Sequence, residues 1–340
     1  MDVNICEDPR IWDAYAQSSP DAWNYHRWVW KEIIEETYGH KPVYLIASEK
    51  DRVCGILPLF SMRSRLFGNS LISIPFFSYC GILASTPEAR DALLSSAVHH
   101  AKAAGARYVE LRQATNCDVG WQDMTGKIRL QRTLPDDPDK LMRSFDSNLR
   151  YRIRRARQQG FRSEWSGLEA INTFYALFAA NMRNLGTPVY PKQWFINICK
   201  RLPKETKILT IWDGNQAVAG AFLIGFRDTL ELPWNASRTE ARGRFAGVWL
   251  YWAMLEWAIQ NGYRCMDFGR STLGSGPHRF KKPWSDREIP LHWYRWLPKG
   301  AVAPQLTLES PRYRLAVQVW KHLPLAITNQ LGPLIVRSIP

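Results

Sequence analysis

Residues 208–224 read ILTIWDGNQAVAGAFLI, and residues 43–59 read VYLIASEKDRVCGILPL. Each stretch has an apolar run, a short polar turn and a second apolar run that contains a glycine, which is the pattern of a β-hairpin. Gly55 and Gly220 occupy corresponding places in the two stretches. A second matched pair, GARYVELRQAT from Gly105 and GYRCMDFGRST from Gly262, follows in the same order at a similar offset. The chain is therefore predicted to contain an internal duplication.

The two halves show the same order of predicted elements, read from the period of their apolar residues and from glycines that end helices. In the first half we predict a helix at Asp21–Tyr38, strands at 43–48, 52–60 and 70–84, a helix at 88–104 and a strand at 107–113. In the second half we predict helices at 138–159 and 168–184, strands at 206–212, 216–226 and 229–236, a helix at 246–261 and a strand at 263–268.

This order predicts an α/β (α+β) protein made of two tandem units, each a mixed, largely antiparallel sheet flanked by helices. The boundary is expected at the Pro-Asp-Asp-Pro stretch, residues 135–138. The expected domains are a first unit at 1–136, a second unit with the site at 137–300, and an amphipathic tail at 301–340.

Composition limits the classes of function. The 340 residues are 46% hydrophobic, enough for true cores, and the formal net charge is +14, which favours polyanionic partners such as nucleic acid, phosphorylated substrates or an anionic membrane. Six cysteines occur without metal-site spacing, so we expect no metal and a reducing compartment. The first residues lack the features of a signal peptide and no apolar run reaches the length of a membrane span, so a cytoplasmic protein is expected.

Residues 267–284, DFGRSTLGSGPHRFKKPW, begin with the Asp-Phe-Gly triplet of protein kinases. The companion kinase motifs and the phosphate-loop motif are missing from the sequence, so phosphoryl transfer is rejected. We predict instead that Asp267 ends a strand, that residues 270–279 form a mobile loop, and that residues 280–284 lead back into the body of the unit.

Four segments carry a resemblance to a known family. They are NLRYRIRRA at 148–156, NMRNLGTPVY at 181–190, WNAS at 234–237, and the DFGRST…FKKPW stretch. Together with the element order, they resemble the FemAB-like family of tandem-GNAT acyltransferases, and look closest to members associated with bacterial exopolysaccharide and exosortase (PEP-CTERM) systems.

The resemblance implies acyl transfer to an amine in cell-envelope or exopolysaccharide synthesis. The acyl donor would be aminoacyl-tRNA or acyl-CoA, with no bound cofactor, and the acceptor a phosphorylated sugar or a lipid-linked molecule. The sequence departs from the peptidoglycan ligases in its Lys-Lys-Pro-Trp ending and in lacking their long helical arm, which leaves the donor open.

Two residues are predicted to be catalytic. Lys281 corresponds in the resemblance to a lysine that stabilises charge near the reacting ester, a role that suits a cation beside a tetrahedral oxyanion. The alternative is a solvated lysine in a basic loop. Asp267 could accept a proton or orient the amine, or it could simply cap the following loop or pair with Arg270.

The remaining candidates would bind the two substrates. Arg150, Arg154 and Arg157 recur at i, i+4 and i+7 and so share one helix face, which suits a phosphate, although such a face is more often only solvated. The other expected substrate-binding residues are Tyr190, Asn235, Ser237, Arg270 and Trp284. The stretch Arg242–Gly247 has the residue types of a GNAT pyrophosphate turn at altered spacing, so Arg242, Arg244 and Gly247 are expected at the donor phosphates.

Two other functions stay open. One is an acyl-CoA-dependent N-acetyltransferase of a nucleotide sugar, and the other is a catalytically silent GNAT repeat that binds polysaccharide lipid or RNA. In the tail, Tyr313, Ala316, Val317 and Trp320 share one helical face, which favours a peripheral contact at the inner face of the cytoplasmic membrane. Docking of the tail on its own domain is the alternative.

Overall fold

The computed structural model describes residues 1–64, 68–117, 119–124, 126–241, 243–301 and 311–339. Its strands are β1 Asp2–Ile5, β2 Lys41–Glu49, β3 Arg52–Ser64, β4 Gly68–Ile72, β5 Leu83–Ala84, β6 Val109–Gln113, β7 Gln122–Asp123, β8 Lys127–Thr133, β9 Arg162–Ser166, β10 Thr206–Asp213, β11 Gln216–Phe226, β12 Thr229–Ser237, β13 Cys265–Thr272, β14 Arg287–Pro290 and β15 His292–Trp296. Its helices are α1 Pro9–Ser18, α2 Val29–Tyr38, α3 Pro87–Ala103, α4 Pro138–Ser144, α5 Ser147–Arg157, α6 Ile171–Leu185, α7 Lys192–Arg201, α8 Ala246–Gln260, α9 Gly276–Lys281, α10 Pro311–His322 and α11 Leu325–Val336.

The chain forms two compact units with similar sheets. The first sheet has the strand order β1-β2-β3-β4-β6-β15-β7, with β5 paired to β3, and the second has the order β14-β8-β13-β12-β11-β10-β9. In both sheets three antiparallel strands lead to a parallel neighbour, β6 beside β4 in the first and β13 beside β12 in the second. This shared pattern confirms two mixed, largely antiparallel sheets in tandem.

The bounds of the units differ from those predicted. Among the described residues, the first unit takes 1–127, 290–301 and 337–339. Residues 290–301 belong to it because β15 pairs antiparallel with β6 from His292↔Gln113 to Trp296↔Val109. Residues 290–300 were expected in the second unit. The described residues 311–336 of the tail belong to the second unit, where both tail helices pack against α6.

Several predicted elements are interrupted by side-chain hydrogen bonds to the main chain. The predicted helix 21–38 is helical only from Val29, after a 3-10 turn at Asn24–His26 that His26 Nδ1 closes by accepting from Trp23 N at 3.0 Å. The predicted helix 138–159 is two helices, because Asp146 accepts from Leu149 N at 2.8 Å and starts α5 anew.

Two predictions near strands were also wrong. The predicted strand 70–84 stops at Ile72, and the buried Arg112 donates to the carbonyls of Ile74 and Phe77 at 3.1 and 2.9 Å. The predicted mobile loop 270–279 is mostly ordered into elements, since β13 continues to Thr272 and α9 begins at Gly276 behind a Ser275 cap.

The core of the second unit forms around α8, which is apolar on nearly all sides, as expected for a fully buried helix. Leu250, Met254 and Leu255 are fully buried in it. Helices α5 and α8 pack together, α8 also contacts β10 and β11, and α6 packs on β11 and β12. No helix among the described residues is both long and apolar enough to cross a membrane.

Candidate active site

A cavity of about 660 Å³ lies in the second unit where β12 and β13 part. These parallel strands are in register only from Thr229↔Cys265 to Glu231↔Asp267, and beyond that point β12 continues to Ser237 beside β11 alone. The end of β12, the last turns of α6, the first turn of α8 and the short helix α9 form the walls. The polar lining residues are Arg152, Asn181, Asn235, Ser237 and Lys281, and the apolar ones include Leu185, Phe245, Val248, Tyr251 and Phe280.

The cavity has a positive electrostatic character. Within the part of the chain that the structure describes, its lining includes Arg152 and Lys281 but no aspartate or glutamate. The first turn of α8 adds Gly247 and Val248 to the wall, and the amino end of a helix carries partial positive charge. Phe245, which precedes this helix, has the left-handed φ of 63°, a conformation that is unfavourable for an aromatic residue and recurs at functional turns. The arrangement suits an anion or an oxygen that gains negative charge.

Lys281 contributes an amine to the cavity wall. Its Nζ donates to the main-chain carbonyl of Arg270 at 3.2 Å. Enclosure by protein lowers the pKa of Lys281 to about 8, and the Arg270 side chain also lowers it, while the Asp267 carboxylate acts in the opposite direction. The amine is only partly exposed, and it is still mainly protonated at pH 7.

Asp267 lies fully buried near Lys281 and does not line the cavity. One carboxylate oxygen accepts from Gly269 N at 2.7 Å, and the other accepts from Gln131 Nε2 at 3.0 Å and lies 3.7 Å from Arg129 Nε. The role expected for Asp267, taking a proton from the acceptor, does not fit this position. The alternative role of capping the following loop fits the bond from Gly269 N, and Arg129 is one ion-pair partner of the carboxylate.

The structure brings only some of the expected binding residues to the cavity. Asn235, Ser237 and Gly247 line it as expected. Trp284 does not, because it is fully buried against Phe145 and Tyr251, with ring centroids 5.6 and 5.5 Å away. A stacking role for Trp284 on a substrate is therefore excluded by its burial.

Tyr190 and Arg270 are also absent from the cavity wall. The Tyr190 ring packs in an aromatic cluster, 5.8 Å from Trp234, and its carbonyl accepts from the Tyr175 hydroxyl at 3.0 Å. Arg270 contributes its carbonyl to Lys281, while its exposed side chain lies outside the lining. The structure therefore places the side chains of Tyr190 and Arg270 outside the lining of this cavity.

The basic helix α5 presents a different arginine from those expected. Arg150 donates to the carbonyls of Phe145 and Arg143 at 2.7 and 3.3 Å, and so holds the end of α4. Arg154 and Arg157 are exposed and do not line the cavity, whereas Arg152 does, with its guanidinium 6.0 Å from the Phe280 ring. Because Leu149 and Ile153 point into the core, the helix turns Arg152 rather than Arg150 toward the cavity.

Two of the three residues expected at the donor phosphates, Arg244 and Gly247, lie within the described ranges. Arg242 lies outside the described residues. Arg244 pairs with Asp213, and its Nε donates to Gln159 Oε1 at 3.1 Å, so its charge is directed away from the cavity lining. Of Arg244 and Gly247, Gly247 lines the cavity.

Sequence reasoning missed Arg152 and Asn181. Asn181 begins the segment 181–190 that carried part of the resemblance, so the sequence held a signal for it. The sequence held no comparable signal for Arg152, because its position at the cavity depends on how α5 is rotated about its own axis. His278 was not predicted to belong to the site. It is buried, and its Nε2 lies 3.0 Å from Glu288 Oε2, which links α9 to β14. Across the described residues, no three His, Cys, Asp or Glu side chains form a group that could hold a metal ion.

The chain is similar in sequence to one protein-family model and in structure to several solved proteins. Residues 143–282 match the family model described as an acetyltransferase (GNAT) domain. The crystal structure of FemX has a TM-score of 0.71 at 17% identity and covers 94% of this chain and 100% of its own. A tandem GNAT protein of the clavulanic acid biosynthesis pathway has a TM-score of 0.52 at 11% identity, over 87% of this chain and 94% of its own.

A third similar structure is the C-terminal domain (DUF2156) of a candidate lysylphosphatidylglycerol synthetase from Agrobacterium fabrum, with a TM-score of 0.55 at 12% identity over 80% of this chain and 88% of its own. No curated protein sequence matches the chain. These similarities show the fold: a GNAT domain over residues 143–282, within tandem units like those of FemX.

Proposed function

We propose that the protein is an acyltransferase of the FemAB-like type, which transfers an aminoacyl or acyl group to an amine of a phosphorylated or lipid-linked envelope or exopolysaccharide precursor. The observation that carries this proposal is Lys281 in the wall of a positively charged cavity that opens between β12 and β13 of a GNAT domain. Both the reacting carbonyl and the donor phosphates need positive charge at such a place.

The reaction can be written with the residues present. The neutral amine of the acceptor attacks the donor carbonyl, and the resulting oxyanion accepts a hydrogen bond from protonated Lys281. Collapse of this intermediate forms the amide and breaks the ester or thioester bond. Since no carboxylate among the described residues lines the cavity, the amine proton passes to solvent or to the departing oxygen or sulfur.

Asn235 and Ser237 are suited to hold the acceptor. Both project from the part of β12 that has separated from β13, and both carry neutral hydrogen-bonding groups beside the cavity. Neutral groups position an amine without holding it as an ammonium ion, which could not attack. Apolar neighbours such as Phe280 and Tyr251 exclude water from the donor ester and thus limit hydrolysis.

The proposal has two leading forms, which differ in the acyl donor: aminoacyl-tRNA or acyl-CoA. Net charge of +14 and the exposed arginines of α5 favour aminoacyl-tRNA, because a polynucleotide spans a wide charged surface. The first turn of α8 beside Gly247 and the GNAT domain match favour an acyl-CoA-dependent N-acetyltransferase.

Transfer of label tests the proposal. Purified protein receives labelled aminoacyl-tRNA or labelled acetyl-CoA with an envelope extract from its own cells. Lys281→Ala should reduce transfer by about 100-fold or more, as expected for loss of one oxyanion donor. Lys282→Ala is the matched control, because Lys282 is adjacent, exposed and paired with Glu288 outside the cavity. Equal transfer by wild type and Lys281→Ala would contradict the proposed site.

A further inference from the structure

The helices α10 and α11 leave an apolar stripe on the surface of the second unit. On α10 the stripe consists of Leu315 and Val319, which are 66% and 54% exposed. On α11 it consists of Ile327, Leu331 and Leu334, of which Leu334 is 67% exposed. The spacings i, i+4 and i, i+4, i+7 place each set on one face of its helix. We call these five residues the outer stripe.

The opposite faces of both helices are already occupied by packing within the unit. A Cβ added to Gly186 would lie 2.5 Å from Val317 Cγ1, and one added to Gly332 would lie 2.8 Å from Val189 N. Such close approach fixes α10 and α11 against the end of α6 and the segment after it. The tail face expected to contact a membrane contains Val317, which is on this packed side. The outer stripe therefore lies on the side that internal packing does not use.

The charged residues in the sequence of the two tail helices are of one sign. Residues 311–339 contain no aspartate or glutamate, and their basic residues are Arg312, Arg314, Lys321, His322 and Arg337. Arg314 and His322 are exposed on the same helix as Leu315 and Val319. Exposed apolar side chains on helices that carry basic but no acidic residues are the pattern of a helix that lies in the interface of an anionic membrane.

We propose that the outer stripe binds the surface of an anionic phospholipid bilayer, with the two helices lying in the plane of the interface. The stripe residues would enter the boundary of the acyl chains while the basic residues contact lipid phosphates. Helix α6 connects this surface to the cavity, since its Leu185 lines the cavity and the next residue, Gly186, packs on α10. Binding would thus bring the cavity of the second unit near the membrane.

Sedimentation with vesicles tests this inference without requiring turnover, so its result is independent of the reaction proposed above. The full-length protein is mixed with phosphatidylcholine vesicles with or without roughly 30 mol% phosphatidylglycerol. We expect binding to the anionic vesicles that falls as salt rises from about 0.1 to 0.5 M. The double variant V319D/L334D should reduce the bound-to-free ratio at least tenfold, because it places two carboxylates in the membrane-facing stripe.

The double variant I11D/L168D is the matched control, since it also adds two carboxylates at exposed apolar positions, 47% and 42% exposed, outside the tail helices. Binding by this control should equal that of wild type. Failure of the wild type to sediment with anionic vesicles, equal binding to neutral vesicles, or equal loss in both variants would overturn the proposal. So would a wild-type dimer that V319D/L334D dissociates, because a second copy would then cover the stripe.

Discussion

Lys281 Nζ donates a hydrogen bond of 3.2 Å to the main-chain carbonyl of Arg270. The bond joins the end of α9 to β13 and places the ammonium group at the cavity without a direct carboxylate partner among its hydrogen bonds. A carbonyl orients the charge but neutralises it less than a bound carboxylate would. The lysine can therefore direct its charge toward a reacting oxygen, and its titration should be visible in the reaction.

The pH dependence of transfer follows from the lowered pKa of Lys281, about 8. If the protonated form stabilises the oxyanion, kcat/KM should fall as pH rises through about 8, once ionisation of the acceptor is accounted for. Lys281→Arg should keep some activity and lose this descending limb, because a guanidinium stays charged. A rise in kcat/KM through the same pH would instead assign Lys281 the role of a base.

The same lysine should reduce stability. A lysine whose pKa is lowered by folding binds fewer protons in the folded state, so stability rises as pH increases from about 8 toward 10.5, and the full cost is present below about 8. Lys281→Met should thus raise the free energy of unfolding at pH 7 by on the order of 1 kcal/mol, after allowance for partial exposure. Denaturant titrations at pH 7 and 10 measure this. A gain as large at pH 10 as at pH 7 would contradict the electrostatic cause.

Alanine variants of Arg152 and Arg154 can be compared to test which arginine of α5 contributes to substrate binding in the cavity. Arg152 lines the cavity and Arg154 is exposed elsewhere. Arg152→Ala should lower kcat/KM about 10- to 100-fold through loss of a charged hydrogen bond to substrate, and Arg154→Ala should change it less than about threefold. Steady-state kinetics with the donor identified by label transfer provide the comparison. Equal effects would indicate a diffuse charge requirement.

Asp267 is expected to contribute to the stability of the folded protein. Asp267→Asn removes a fully buried carboxylate beside the buried guanidinium of Arg129 and should destabilise the protein by about 3–5 kcal/mol. Asp213→Asn, which removes the partly exposed partner of Arg244, should cost less than about 1 kcal/mol. Denaturant unfolding of both variants tests the difference. If Asp267→Asn unfolds like the wild type but loses transfer, Asp267 has a direct functional role after all.

Gly247 and Gly186 should respond differently to the same change. A Cβ at Gly247 would meet Phe280 Cζ at 3.7 Å and Ser237 Oγ at 4.0 Å, which are ordinary contacts, so Gly247→Ala should keep or slightly raise stability while narrowing the cavity. Gly186 has a φ of 76° and its Cβ would clash with Val317, so Gly186→Ala should destabilise by about 1 kcal/mol or more. Weaker donor binding is expected only for Gly247→Ala, measured by titration calorimetry.

Local patterns in the sequence determined much of the scaffold. The sequence predicted the two hairpins that contain Gly55 and Gly220, and the apolar helix 246–261, to within a few residues. This was possible because the alternation of apolar and polar residues, the turn residues and the helix-ending residues are all local features of the sequence. Asn235, Ser237 and Lys281 could be selected because they lie in motifs that carry the family resemblance, and all three line the cavity.

Only the tertiary structure decided which side chains the cavity contains. The pairing of β15 with β6 joins residues far apart in the chain, and nothing near 292–296 specifies that partner. The burial of Asp267 and Trp284 and the turning of Arg152 toward the cavity depend on how β13 and α5 pack against the core. Packing determines how a helix is rotated about its axis and how deeply the side chains of a strand are buried. Both depend on contacts throughout the unit, and a local sequence pattern does not encode those contacts.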